Sequence, residues 1–158
     1  MTDTFIAATT QQLEEAVTKA LHPMGFKRKA STWYLDGPDC VCLINLQKSN
    51  YGGQHYVNLA VSAKQLEPNA FPKEHQCQPR GRLSEITPGR AQLEANLNFE
   101  ETSSSPADKI SRVVKAICDD GVPMLLQCQT LKGLKEQLNS GELEKFAISL
   151  RLRNLFGV

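Results

Sequence analysis

The chain has 158 residues, of which 41% are apolar and 22% charged, and its 18 basic residues almost balance its 17 acidic ones, for a net charge of +1. This is ordinary globular composition, and a chain of this length buries most of its unfolded surface without disulfides or metal. The balanced charge disfavours a nucleic-acid-binding module. We therefore expect one domain over residues 1–158, with a sheet-containing part over about 1–100 and a helical part over about 105–158.

The front of the chain predicts a helix followed by three strands. A helix over residues 4–22 is indicated by apolar residues that recur on one face, and Pro23 and Gly25 end it. Strands are predicted over 26–35, 40–48 and 55–62, separated by an Asp-Gly-Pro-Asp turn and by a polar hairpin loop at 49–54. Cys40 and Cys42 lie on one face of the second strand, as small buried apolar residues.

The middle of the chain is less regular. Residues 64–80 contain three prolines and predict a loop. Residues 81–86 and 91–99 are candidates for a fourth and a fifth strand, although the second of them is equally compatible with a helix. The predicted fold class is therefore α+β, an antiparallel meander sheet with the N-terminal helix packed on it and a helical C-terminal part.

The back of the chain predicts helices. Ser105 as an N-cap and Pro106 in the first turn begin one helix, which Gly121 ends. A short turn over 122–128 and a weaker helix around residues 131–138 follow. Residues 142–156 alternate like a strand but also fit a helix, and we choose the helix because a capping-box pattern precedes it and a glycine follows. Its wide apolar surface predicts deep burial or a homodimer contact.

Patterns typical of catalysis are missing from the sequence. His75 and Cys77 form a close pair without the second pair of ligands that a zinc site needs. The GxSxG, GxGxxG and GxxxxGK[ST] motifs do not occur. We therefore expect a protein that is not an enzyme and that uses no metal and no cofactor.

Neither a signal peptide nor a membrane span is predicted. The start, MTDTFIAATTQQLEEAV, lacks a basic and a long apolar region, and the longest apolar runs of the chain have five residues. Five cysteines without a CxxC pair favour reduced thiols. The expected location is the cytoplasm.

The hairpin around residues 46–59 carries more hydrogen-bonding side chains than a hairpin needs. One interpretation is a polar turn whose side chains satisfy its own backbone. The other is a recognition surface, with tyrosines for contact area and amides for hydrogen bonds. The predicted partner-binding residues, which include an Arg-x-Arg pair on a later strand, are Gln47, Lys48, Ser49, Tyr51, His55, Tyr56, Asn58, Arg80 and Arg82.

The order of several short motifs resembles a bacterial family, the domain of unknown function 4304. The motifs are GFKRK at 25–29, WY at 33–34, LQKS at 46–49, YVNLxV at 56–61 and RxRL at 80–83. The resemblance is strongest over residues 20–86. The family has no established activity and implies no catalytic residue. By analogy, small cytosolic families of this kind often belong to the immunity proteins of interbacterial toxin systems.

The expected function is a non-enzymatic cytosolic binding protein, and more specifically an immunity protein that neutralises a toxin encoded by a neighbouring gene. Two alternatives stay open. The first is a homo-oligomeric structural or regulatory module that pairs through residues 142–156. The second is a small-ligand-binding domain in which Gln47, Ser49, His55, Asn58 and Arg80 converge in one cleft.

Overall fold

The computed structural model describes residues 3–157, so Met1, Thr2 and Val158, the ends of the predicted domain, lie outside the described residues. Five antiparallel strands form one sheet, in which each strand pairs with the next one in the chain. The strands are β1 (Lys27–Lys29), β2 (Thr32–Asp36), β3 (Cys40–Lys48), β4 (His55–Ala63) and β5 (Arg80–Arg82). The predicted meander and the α+β class are confirmed.

Helices cover one face of this sheet, which we call the inner face. They are α1 (Asp3–Leu21), α2 (Arg90–Asn96), α3 (Pro106–Ala116), α4 (Val122–Gln127), α5 (Leu131–Ser140) and α6 (Leu150–Phe156). As predicted, Ser105 caps α3, since its side chain accepts a hydrogen bond from the Asp108 amide, and Pro106 begins the helix. No helix among residues 3–157 is long and apolar enough to cross a membrane.

The inner face carries the larger hydrophobic core. Alternate residues of β3 and β4 point into it, and buried residues of every helix pack against them. Cys40 and Cys42 are among these buried residues, as predicted. The indole of Trp33 donates a hydrogen bond to Thr18 at 3.0 Å, which ties α1 to the sheet. This core joins residues from Ile6 in α1 to Leu152 in α6.

The outer face of the sheet is only half covered. Residues 64–79, which we call the cover segment, cross the half that carries the small second core of Tyr34, Val41, Leu43, Ala60 and Cys77. The Tyr34 hydroxyl donates to the Pro72 carbonyl at 3.1 Å, and the Phe71 ring meets the Tyr34 ring edge-on. The predicted loop over 64–80 agrees with this segment, apart from one 3₁₀ turn and the start of β5.

The predicted strand over 26–35 is two strands, not one. The chain reverses between β1 and β2 so that Lys29 pairs with Thr32. Ala30 takes a left-handed backbone conformation at φ +53° to make the turn. Glycine or asparagine normally marks such a position, so an alanine there gives no signal in the sequence.

Two further strand predictions are wrong in part or entirely. In 81–86, β5 ends at Arg82 and a 3₁₀ turn follows over Leu83–Glu85. Residues 91–99 form no strand, since α2 occupies Arg90–Asn96. The apolar residues of this segment fit the spacing of a strand as well as that of a helix. The structure has the helix, which buries Leu93 in the inner core.

Gly121 does not end the helix that begins at Pro106. Its backbone is helical at φ −75°, and the chain passes from α3 through a π-helical turn over Ile117–Gly121 directly into α4. A Cβ at Gly121 would lie 3.2 Å from Leu83, so a small residue lets this turn approach the sheet. The glycine therefore serves packing here rather than termination.

The helix predicted over 142–156 is restricted to α6, whose N-cap is Ser149. Residues 142–149 form turns, and Ala147 pairs with Arg80 at the edge of the sheet. The apolar side chains of the segment, including Phe146 and Leu152, pack into the chain's own core, and Leu150 is the large apolar one left exposed. The homodimer through 142–156 stays a prediction. The segment exposes less apolar surface for such a contact than its sequence indicated.

Candidate functional site

A row of polar side chains crosses the uncovered half of the outer face. Strand register places Lys29, Thr32, Asn45, Asn58 and Arg82 side by side on the five strands. Directly opposed residues of antiparallel strands share a face, so these side chains are neighbours. At about 4.8 Å per strand the row is about 19 Å long.

Hydrogen bonds fix the middle of this row. The Asn45 amide donates to the Thr32 hydroxyl at 2.9 Å. The Asn58 amide donates to Asn45 Oδ1 at 3.1 Å and to Gln47 Oε1 at 3.0 Å. Among residues 3–157, Asn58 Oδ1 and Gln47 Nε2 form no hydrogen bond. Gln47 is exposed and can present its free donor to a partner, whereas Asn58 is only 3% exposed.

Arg82 stands at one end of the row with its hydrogen-bonding capacity unused. Its guanidinium lies 3.8 Å from the centroid of the Tyr56 ring. Within the described part of the chain it forms neither a hydrogen bond nor an ion pair. An exposed arginine normally samples many rotamers, and stacking on a ring reduces that freedom while leaving the N–H groups free.

Lys29 stands at the other end in a similar state. Its ammonium lies 4.5 Å from the centroid of the Phe71 ring in the cover segment. No carboxylate in residues 3–157 pairs with it. We call the seven residues of this surface the open face: Lys29, Thr32, Asn45, Gln47, Tyr56, Asn58 and Arg82.

Four of the nine predicted partner-binding residues come together on the open face: Gln47, Tyr56, Asn58 and Arg82. Arg80 lies on the same face, but its guanidinium is held by the buried Glu74 carboxylate at 2.6 Å. That ion pair fastens the cover segment to β5, which is a structural role. Of the two arginines in the Arg-x-Arg pair, Arg80 is therefore held in a structural ion pair, whereas Arg82 is free to bind a partner.

The other four predicted residues lie elsewhere. Lys48 lies opposite His55 at the end of the hairpin. By the alternation of residues along β3, it belongs to the inner face and not to the open face. Ser49 and Tyr51 lie in the hairpin loop, where Tyr51 is 87% exposed. Because His55 and Ser49 are away from Asn58 and Arg80, the cleft of the small-ligand alternative is not formed.

His55 is buried, although the sequence analysis placed it among the partner-binding residues. It is fully buried between α1 and the hairpin. Its Nδ1 lies 2.9 Å from the Gly53 carbonyl and therefore donates, while its Nε2 lies 2.7 Å from the Thr10 hydroxyl. Burial lowers the pKa of this imidazole, so at neutral pH the ring is uncharged and structural.

Sequence reasoning missed Lys29, Thr32 and Asn45. Asn45 and Gln47 are two residues apart on a predicted strand, so their shared face was open to inference. Lys29 and Thr32 were hidden because the turn at Ala30 was not recognised, and an unbroken strand places these two residues on opposite faces.

The geometry of the open face is accompanied by one match to a known family. The model of the family described as "Domain of unknown function (DUF4304)" matches residues 17–127. This chain is a member of the DUF4304 family. No curated protein and no solved structure matches the chain.

The match spans the parts of this DUF4304 domain that build the open face. It includes all five strands, the cover segment and the helices from the end of α1 to α4. Helices α5 and α6 lie beyond the matched range. The resemblance seen in the short motifs is therefore confirmed, and the open face is built entirely within the family's shared region.

Four of the five cysteines of this DUF4304 domain are buried and have the properties of core residues. Burial raises the pKa of the Cys40 and Cys128 thiols to about 12 and that of Cys77 to about 11. These thiols stay protonated at neutral pH and are poor nucleophiles. Over the described range, 3–157, no three His, Cys, Asp or Glu side chains are grouped so that they could hold a metal ion.

Proposed function

We propose that this DUF4304 protein is a non-enzymatic binding protein whose partner protein docks on the open face. The observation that carries the proposal is Arg82, stacked 3.8 Å from Tyr56 with all its N–H donors free. Arginine and tyrosine are enriched among the residues that dominate binding energy at protein interfaces. A preordered arginine loses less entropy when its partner arrives.

The amide row beside Arg82 supports the same function. Asn45, Gln47 and Asn58 hold one another through hydrogen bonds, so their outward groups need no rearrangement to meet a partner. Gln47 is exposed and Asn45 is partly exposed, so a partner protein can reach this part of the row. Recognition by hydrogen bonds gives such a row a use.

The partner we propose is a bacterial toxin, which the protein neutralises by covering or distorting its active site. This choice rests on the analogy between small cytosolic families such as this one and the immunity proteins of toxin systems. We place the complex in the cytoplasm, where the free thiols of this chain would stay reduced.

The test is binding to the protein encoded by the adjacent gene. The two proteins are coexpressed and copurified, and the dissociation constant is measured by titration calorimetry. We expect Arg82→Ala to weaken binding by about tenfold or more, as for a central hot spot. Arg153→Ala, which removes an exposed arginine from α6, serves as the matched control and leaves the constant unchanged.

Growth assays complete the test. Expression of this chain rescues cells that produce the neighbouring protein, and the Arg82→Ala variant rescues them less well. The immunity role is wrong if the neighbouring protein is not toxic, or if it is toxic but does not bind.

A further inference from the structure

The charged side chains of the open face are all positive, although the chain as a whole is nearly neutral. The seven side chains of the open face carry two positive charges, on Lys29 and Arg82, and no negative charge. The chain's net charge of +1 conceals this local excess. A surface with unneutralised cations is complementary to a surface with carboxylates.

Three other basic residues on or beside the sheet are neutralised within the chain, whereas Lys27 of β1 and Lys48 of β3 have no ion pair among residues 3–157. Arg28 is paired with Glu14 at 2.7 Å, Lys64 with Asp36 at 2.6 Å and Arg80 with Glu74 at 2.6 Å. Lys29 and Arg82 are thus among the cations of the sheet that have no carboxylate partner in the described chain, and they are the two that stack on aromatic rings of the outer face.

We infer that the partner of the open face is a protein with an acidic surface, which places carboxylates opposite Arg82 and Lys29 at the two ends of the polar row. This inference rests on the proposed binding function and adds the chemistry of the partner. Arg82 takes a carboxylate through parallel N–H donors. Lys29 takes a second one about 19 Å away, the length of the row.

The amides between the two cations fit a protein occupant. The exposed Gln47 offers its Nε2 as a donor, and a polypeptide surface supplies complementary acceptors in backbone carbonyls and side chains. A small anion would engage one end of the row and leave this donor unused.

Nucleic acid is the competing anionic occupant, and the aromatic rings disfavour it. Proteins that bind single strands leave ring faces free for bases to stack on. Here Arg82 occupies the face of Tyr56, and Lys29 lies over Phe71, whose ring also meets Tyr34. The rings hold cations in place instead of receiving bases.

A short poly-L-glutamate peptide is the probe for this chemistry. It is titrated at low salt into the full chain labelled with ¹⁵N, and the side-chain signals of Gln47, Asn58 and Arg82 are followed by NMR. We expect these signals to shift together and saturate, and the affinity to fall as salt is added. The double variant Lys29→Gln/Arg82→Gln weakens peptide binding by about three- to tenfold.

A second double variant controls for the loss of charge. Lys132→Gln/Arg153→Gln removes two exposed cations of α5 and α6 and leaves the titration unchanged. Equal weakening in both variants, or no shift on the open face, overturns the inference. Tighter binding of a single-stranded DNA oligonucleotide of the same charge overturns it in favour of nucleic acid.

The inference and the proposed function fail in different ways. If the neighbouring protein binds the native chain and Lys29→Gln/Arg82→Gln equally well, the binding function stands and the acidic partner surface is wrong. If the neighbouring protein does not bind and the peptide still binds the open face, the proposed partner is wrong and the carboxylate chemistry stands.

Discussion

At the scale of single residues, three polar side chains with similar sequence signals have three different roles. Arg80 and Arg82 are two residues apart, yet Glu74 neutralises the first and leaves the second free. His55 lies in the same polar hairpin as Asn58, but it packs into the core and bonds to Gly53 and Thr10. Tertiary neighbours decide the role of each, and they are not visible in the local sequence.

His55 predicts a pH dependence of stability. Burial lowers the pKa of its imidazole in the folded chain below the ordinary value of 6.5, and the positive charge of nearby Lys48 adds to this effect. Between those two pKa values the unfolded chain binds more protons, so the free energy of unfolding falls as the pH drops below about 6.5. Urea denaturation between pH 7 and pH 5 measures this loss.

Two variants isolate the contribution of His55. His55→Asn keeps a donor for the Gly53 carbonyl and removes the titrating group, so the decline in stability between pH 7 and pH 5 becomes shallower. His22→Asn, the same change at an exposed histidine, keeps the decline of the native chain. An unchanged decline in His55→Asn would show that other groups cause it.

At the scale of elements, the helices and strands that have a regular apolar spacing or a local capping signal were predictable from the sequence. The helix α1 and the strands β3 and β4 follow from the spacing of apolar residues, and α3 begins where Ser105 and Pro106 place it. The elements that escaped prediction depend on contacts distant in sequence. Residues 142–149 are not helical because Ala147 hydrogen-bonds with Arg80, 67 positions earlier, through both backbone groups.

The surroundings of Gly81 show how tightly β5 packs against the turns over 142–149. A Cβ at this position would lie 2.4 Å from the Phe146 ring, closer than any real contact. Gly81→Ala therefore pushes β5 and the 142–149 turns apart, and we expect a loss of about 1–3 kcal/mol in the free energy of unfolding. Urea denaturation measures the loss.

A double-mutant cycle tests whether the Phe146 ring is the cause. Phe146→Leu makes room, so the double variant Gly81→Ala/Phe146→Leu is more stable than the sum of the two single losses predicts. Strict additivity would place the strain of the alanine somewhere other than the Phe146 ring.

At the scale of the whole molecule, the sheet has a large core on its inner face and a small one on its outer face. The inner core was predictable, because the periodic elements point their apolar residues towards it. The cover segment was not, because a segment with three prolines and no periodicity gives no indication of where it packs. The division of the outer face into covered and open halves therefore emerges only in the structure, and with it the candidate site.

The small outer core predicts that the cover segment opens independently of the rest of the fold. Between Phe71 and Cys77, its contacts with the sheet include the small outer core, the Tyr34 hydroxyl bond to Pro72 and the Glu74–Arg80 ion pair. Few buried apolar contacts mean a low free energy of local opening. In Glu74→Gln, which keeps the shape and removes the charge, we expect the amides of Gln76 and Cys77 to exchange about three- to tenfold faster.

Hydrogen exchange followed by NMR makes this measurement, with the amides of β3 and the inner helices as the internal reference. Those amides keep their native rates if the cover segment is a separate opening unit. Glu94→Gln, which breaks an exposed ion pair with Arg90 on α2, leaves Gln76 and Cys77 unchanged. If amide exchange in Glu74→Gln becomes faster across the whole sheet, the two cores open together. The cover segment would then be held in place by the stability of the whole fold and not by its own contacts.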